Sequence, residues 1–204
     1  MSFYSQVIFP LLCDFGLDRP FVARYRRELL ADASGNILEL GFGTGLNLPY
    51  YPPDVRKITT VDPNIGMYRR ARRRIKHAGV EIDRRVLGGE RLPFEDSIFD
   101  SVVSTFTLCS IEDVAQAMRE VYRVLRPGGK FVFLEHGLSP DLNVQKWQHR
   151  LNWLQMQLAG GCHLDRDMRA LVAAQPFASV QMDEFYIEKT PRTHGYMYRG
   201  LATK

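Results

Sequence analysis

Three glycines stand at alternate positions where a strand-like run ends, in Ile37-Leu38-Glu39-Leu40-Gly41-Phe42-Gly43-Thr44-Gly45-Leu46-Asn47. Glycine at that spacing serves a backbone that must turn sharply and approach a ligand with no Cβ in the way. A second apolar run ends in Val61-Asp62-Pro63-Asn64, which puts Asp62 21 positions after Gly41. A carboxylate at the tip of a second strand can accept both ribose hydroxyls of an adenosine-containing cofactor. The details separate this loop from a dinucleotide fingerprint, because position six of G-x-G-x-x-G is Leu46 and the third glycine comes one residue early. A pyrophosphate prefers a long helix starting at the loop, and here Pro49, Pro52 and Pro53 cut the helix short. The pattern suits a nucleoside cofactor without a pyrophosphate.

Strand-like runs at 36–40, 57–61, 81–87, 99–104 and 130–135 alternate with helical patterns, which is how an α/β sheet reads. Four of these five runs are continuously apolar or β-branched, as in strands buried on both faces. The clearest helix covers 113–125, with Val114, Ala117, Met118, Val121, Val124 and Leu125 on one face. Ser110 and Asp113 form a candidate capping box, and Pro127-Gly128-Gly129 a stop. Two late strands, 179–187 and 195–203, are joined through Pro191 by a segment too short for a crossover helix. They are expected to pair antiparallel at one edge of an otherwise parallel sheet. A single domain over 1–204 is expected, with no repeat or linker dividing it.

The motifs Glu39-x-Gly41-x-Gly43-x-Gly45, Val61-Asp62-Pro63-Asn64, Gly89-Glu90-Arg91-Leu92-Pro93-Phe94 and Arg123-Val-Leu-Arg-Pro-Gly-Gly129 occur in that order. Together they resemble a class I S-adenosylmethionine-dependent methyltransferase, and the match runs from about Arg26 to Lys204. The resemblance implies a Rossmann-like, seven-stranded, mostly parallel sheet in the order 3-2-1-4-5-7-6 with helices on both faces. It implies S-adenosyl-L-methionine as cofactor, with Glu39, Gly41, Phe42, Gly43 and Gly45 along its methionine part and Asp62 on its ribose. Pro63 and Met67 would flank the adenine, Gly89 and Glu90 would meet its edge, and Thr105 would face the sulfonium side. Many members carry an Asp where this chain has Gly88, so adenine recognition here falls to backbone groups or to Glu90.

Tyr50-Tyr51-Pro52-Pro53, Thr107-Leu-Cys109-Ser110, Leu134-Glu135-His136, Gly161-Cys162-His163-Leu164-Asp165-Arg166 and the terminal Tyr198-x-Gly200-x-Ala202-x-Lys204 carry a narrower resemblance, to the membrane-associated alkyl thiol S-methyltransferases. A thiol acceptor is implied. The N-terminal hydrophobic anchor of that family has no counterpart here, so a soluble, cytoplasmic version is expected. Acid–base chemistry agrees, because deprotonating a thiol at pH 7 costs about 2 kcal/mol and a phenol about 4. N- or C-methylation of a lipid head group or quinone-like ring is the enzymatic alternative, and a cofactor-binding regulatory module without turnover is the non-enzymatic one. The [D/N]-P-P-[Y/F] signature of nucleic-acid amino methyltransferases is absent after the fourth strand, where Ser104-Thr-Phe-Thr-Leu-Cys109 stands. A small-molecule acceptor is expected, and nucleic acid is not.

The segments left to shape an acceptor pocket are 1–25, an aromatic stretch that can act as a lid, and the insertion 137–163. Tyr4, His136 and Trp147 are the candidate pocket residues. The stripe Trp147, Leu151, Leu154 and Leu158 reads either as a helix packing on the sheet or as a lid facing the acceptor. His136 is a candidate base or hydrogen-bond partner, or a structural residue. Three cysteines, Cys13, Cys109 and Cys162, show no C-x-x-C spacing, which argues against a disulfide framework or a metal site. The net charge of +4 is local: Arg69 to Arg85 carries +6 and the remainder −2. Arg69–Lys76 reads as a solvated helix face or a weak contact with an anionic membrane.

Overall fold

The computed structural model describes residues 3–204, so the first two positions of the 1–25 segment lie outside the described residues. Seven strands form one sheet: β1 (Ile37–Leu40), β2 (Lys57–Val61), β3 (Glu81–Arg85), β4 (Phe99–Thr105), β5 (Leu125–His136), β6 (Ser179–Tyr186) and β7 (Tyr196–Thr203). Their order is β3-β2-β1-β4-β5-β7-β6, as the methyltransferase resemblance implied. The first five strands pair in parallel, and β7 runs antiparallel to both β5 and β6. The short turn through Pro191 explains the last pairing, since a parallel return would need a crossover of a dozen or more residues.

Alternation along the central strands divides the core between two faces. Val102, Phe131 and Phe133 point to one side, where they meet Met118, Val121 and Val124 of α4 (Val114–Val124) and Met168 and Val172 of α6 (Met168–Ala173). Val103, Val132 and Leu134 point to the other side, toward Val22, Leu29 and Leu30 of α2 (Pro20–Leu30) and Ala71 of α3 (Ile65–His77). Each of these valine, leucine, methionine and phenylalanine side chains contributes about 1.5–3 kcal/mol relative to leaving it exposed. Two-sided burial is why β1 reads as a continuous apolar run interrupted only by Glu39.

Two local expectations are corrected. Asp113 caps α4 by accepting from the Gln116 N–H at 2.9 Å, but Ser110 belongs to a separate 3-10 turn, Leu108–Ser110, so there is no capping box. The fifth strand also begins at Leu125 rather than Lys130, because Leu125 turns extended directly after α4 and pairs with Phe99. The Pro127-Gly128-Gly129 stretch is an excursion inside that strand, with Gly128 at φ +77°.

The N-terminal segment is helical, as a π-turn (Tyr4–Ile8) leading into α1 (Phe9–Leu17). Asp14 of α1 is buried and accepts hydrogen bonds from Arg70 and Arg74 of α3 and from the Thr44 hydroxyl. Part of the arginine cluster therefore fastens α1 to α3 and the glycine loop. Arg69, Arg72, Arg73 and Lys76 stay exposed. Among the described residues, no helix is long and apolar enough to cross a membrane.

Candidate active site

The chain turns from β1 to β2 on one side and reaches β4 on the other, so the carboxyl ends of β1 and β4 open a crevice between them. A cavity of about 670 Å³ occupies it, within the range of small-molecule sites. The glycine loop forms its floor. Gly43, at φ +57°, has only the Gly41 carbonyl, 3.7 Å away, near the place where a Cβ would sit. A ligand can approach that backbone directly. Gly45 does something else: a Cβ there would press on Leu48, Phe42 and Ala71, so this glycine lets the loop pack on α3. It is the one member of the expected cofactor set that does not line the cavity. Glu39, Gly41, Phe42, Gly43, Asp62, Pro63, Met67, Gly89, Glu90 and Thr105 all do.

Asp62 holds the loop in shape. Its carboxylate accepts from the Gly43 N–H at 2.7 Å and from the Asn64 N–H at 2.7 Å. Burial raises its pKa, and those two donors oppose the rise. The Glu90 carboxylate folds over Gly88 and fills the space a side chain there would take.

Beneath the loop lies a polar network that the sequence did not disclose. Arg26 of α2, 4% exposed, donates to Asn47 Oδ1 at 2.5 Å and to Thr105 Oγ1 at 3.0 Å. Asn47 donates to Glu39 Oε1 at 2.7 Å, and the Tyr51 hydroxyl donates to Glu39 Oε2 at 2.9 Å. Burial pushes the Glu39 carboxyl up to about 7, although Tyr51, Asn47 and Arg26 all oppose it. Burial likewise brings the Arg26 guanidinium down to about 10. Arg26 is one of four arginines in 19–27, and no motif distinguishes it from its exposed neighbours. Only its position on the inner face of α2 does.

The acceptor-side candidates separate. Tyr4 lines the cavity, and its hydroxyl donates to the Leu158 carbonyl at 2.5 Å, joining the N-terminal segment to the end of α5 (Leu142–Leu158). Phe9, Cys13 and Leu17 of α1 and Gly160 line it as well. Burial is the main cause that pushes the Cys13 thiol up to about 12. Trp147 does not line the cavity: it is 55% exposed, and the whole stripe through Leu158 faces outward or is only partly covered. Neither reading of that stripe holds. Helix α5 is anchored instead by Val144 and Gln148, and the Gln148 amide bonds Gly137, Ser139 and Thr193. His136 is also outside the cavity, buried with its Nε2 3.0 Å from Cys162 Sγ. Behind the wall, Glu135 accepts from Ser104 and from the Thr107 N–H, fixing the turn that carries Thr107 and Ser110 into the site.

Glu39 sets a pH dependence. Its folded pKa lies above its ordinary value of 4.5, so the penalty for burying its charge is absent well below 4.5 and grows up to about 7. Relative to Glu39→Gln, the wild type is expected to lose up to about 3 kcal/mol of stability over that interval and then level off. Urea unfolding of both proteins from pH 4 to 8 measures the difference; a gap that stays constant with pH rejects the shift.

A family profile described as a methyltransferase domain matches residues 38–133. Thiol S-methyltransferase TMT1A of Homo sapiens is 32% identical over 193 residues, covering 86% of this chain and 78% of that protein. Thiol S-methyltransferase TMT1B of Rattus norvegicus is 34% identical over 151 residues, covering 72% of this chain but 62% of the relative. The chain thus spans less than two thirds of that relative. Phosphatidylethanolamine N-methyltransferase of Cereibacter sphaeroides is 36% identical over 176 residues, covering 82% of this chain and 78% of that protein. In fold, an S-adenosylmethionine-dependent methyltransferase of Thermotoga maritima, described as a possible histamine N-methyltransferase, superposes with a TM-score of 0.68. It has 19% identity and covers 98% of both chains. With the strand order and the glycine loop beside Asp62, these relatives place the chain in a family: it belongs to the S-adenosylmethionine-dependent methyltransferases.

Proposed function

We propose that this chain methylates a small alkyl thiol, with S-adenosyl-L-methionine as donor. The donor fits the residues present: the loop leaves open space over Gly43, a carboxylate stands at the tip of β2, and the cavity is large enough for a nucleoside cofactor and a small acceptor. Asp62 would hold the ribose. Pro63 and Met67 would flank the adenine, and Glu90, lying over Gly88, would replace the carboxylate that many members carry there. Glu39 and Thr105 would face the methionine end. When bound, the donor supplies an electrophilic methyl group on a sulfonium.

The cavity wall carries the choice of a thiol. Among the described residues that line it there is no histidine and no lysine. The Cys13 thiol, at about 12, stays protonated near neutral pH. Of the carboxylates that line it, Glu39 and Asp62 already accept a hydrogen bond at each oxygen, which favours an acceptor that gives up its own proton readily. That costs about 2 kcal/mol at pH 7 for an alkyl thiol, about 4 for a phenol and about 5 for an amine with a lysine-like pKa. With the donor bound, the thiolate lone pair would form the new S–C bond as the sulfonium C–S bond breaks, and the acceptor proton would leave to solvent. The protein's share is alignment and exclusion of water. The stretch 4–17 would serve as the lid, with Tyr4, Phe9 and Cys13 lining the cavity. The likeness to a phosphatidylethanolamine N-methyltransferase supports a second reading, N-methylation of an amine head group.

Three measurements test this. Asp62→Ala is expected to weaken S-adenosylhomocysteine binding at least tenfold by calorimetry, since a bond to a charged group is worth about 1.5–3 kcal/mol; unchanged affinity removes the ribose assignment. Radiolabelled methyl transfer to a panel of alkyl thiols, phenols, amines and lipids should favour the thiols, with a rate that rises with pH toward the thiol pKa. Equal turnover of phenols would sink the thiol reading, and turnover confined to ethanolamine lipids would establish the second. The exposed Arg69, Arg72, Arg73 and Lys76 of α3, together with the exposed Leu11, Leu12 and Phe15 of α1, support a weak contact with anionic membrane that gathers lipophilic acceptors. Phosphatidylglycerol vesicles should carry the protein down at low ionic strength, and a protein left wholly in the supernatant speaks against that contact.

A further inference from the structure

Cys109, His136 and Cys162 come from three separate elements: the 3-10 turn after β4, the last residue of β5, and the loop after α5. Their Sγ, imidazole nitrogen and Sγ atoms all lie within 4.8 Å of one another, and all three residues are buried. We propose that this cluster is a binding site for a single thiophilic d10 cation, zinc(II) foremost, held by two thiolates and one imidazole.

The geometry carries the assignment. A tetrahedral zinc with Zn–S near 2.3 Å and Zn–N near 2.0 Å needs ligand atoms about 3.5–3.8 Å apart, within the spread seen here. The 3.0 Å approach of His136 Nε2 to Cys162 Sγ would open by a few tenths of an ångström. His136 Nδ1 is buried and has no hydrogen-bond partner in the described structure. Nε2 is the nitrogen turned to the cysteines, and with Nε2 coordinated the ring proton would sit on Nδ1, where an ordered water would have to accept it. Two oxygen donors stand beside the cluster for a fourth position. The Gln155 amide nitrogen is 3.5 Å from Cys162 Sγ, and half a turn of its plane presents the oxygen instead; the Ser110 hydroxyl is 3.5 Å from Cys109 Sγ.

Charge balance also favours a divalent ion, since two thiolates neutralise it and leave no net charge to bury. Binding releases one proton from each thiol. The loops that carry the cysteines are already joined: the His163 N–H donates to the Cys109 carbonyl at 2.8 Å, and Arg166 bonds the Leu108 carbonyl. Ser110, next to Cys109, and Gly160, two residues before Cys162, line the cavity. An ion here pins one wall of the active site without touching the reacting atoms.

The test uses the full chain, stripped with a chelator and titrated with cobalt(II) and then zinc(II). One cobalt per chain should bind, with a thiolate charge-transfer band in the near ultraviolet and tetrahedral ligand-field bands in the visible, and one zinc should displace it. Cys109→Ser and Cys162→Ser should each weaken the charge-transfer band and lower zinc affinity at least tenfold, while Cys13→Ser leaves both unchanged. Circular dichroism and S-adenosylhomocysteine binding establish that each variant is folded. Absence of a charge-transfer band in the folded wild type overturns the proposal. So does a band that survives in both serine variants, or a Cys109–Cys162 disulfide found by thiol titration of the protein as isolated.

Discussion

The site rests on a charge pair that burial works to neutralise. Arg26 and Glu39 sit under the glycine loop, where burial drives the arginine down to about 10 and the carboxyl up to about 7. Ionised groups in such a place persist only when hydrogen bonds satisfy them, and Asn47, Tyr51 and Thr105 supply those bonds. The network ties α2, β1, the turn after the glycines and the tip of β4 to one another. Loss of any member would leave a buried charge exposed to a poor solvent, so the loop's shape and the polarity of the floor are set by the same bonds.

A second electrostatic tie shapes the entrance. Asp14 gathers Arg70, Arg74 and the Thr44 hydroxyl, and through them it draws the N-terminal helix across the mouth of the cavity. The positive excess that is conspicuous in the sequence is therefore of two kinds. Arg70 and Arg74 are structural, while Arg69, Arg72, Arg73 and Lys76 remain turned to solvent. Spacing explains the split, because positions four apart share a helix face, and the 70/74 face is the one that meets α1.

The strands were legible because burial on both faces forces continuous apolar runs, and the antiparallel pair because nine residues between β6 and β7 allow no crossover. Most of the loop set was legible for a similar reason: a Cβ cannot stand where a ligand or a tight turn requires glycine. Gly45 shows the limit, since a glycine needed for packing on Ala71 looks the same in sequence as one that faces a ligand. The stripe from Trp147 to Leu158 shows the opposite failure. Helical periodicity identifies a common face but not whether anything covers it, and here Gln148, a polar residue, makes the anchoring contacts.

The sequence by itself determined the alternation of strands and helices, the late antiparallel pair, the place of the glycine loop and the carboxylate facing it, because these follow from local rules of strand, turn and backbone clearance, while the strand order was what the family resemblance implied. Tertiary structure alone decided which of several arginines was buried under the loop. It decided which arginines of α3 were consumed by Asp14, and that Cys109, His136 and Cys162, separated by 27 and 26 positions, meet at one point. Those choices depend on distances between elements remote in the chain. Such distances are fixed only when the sheet closes, since side chains on unconnected strands and loops have no local signature of the neighbours they will find.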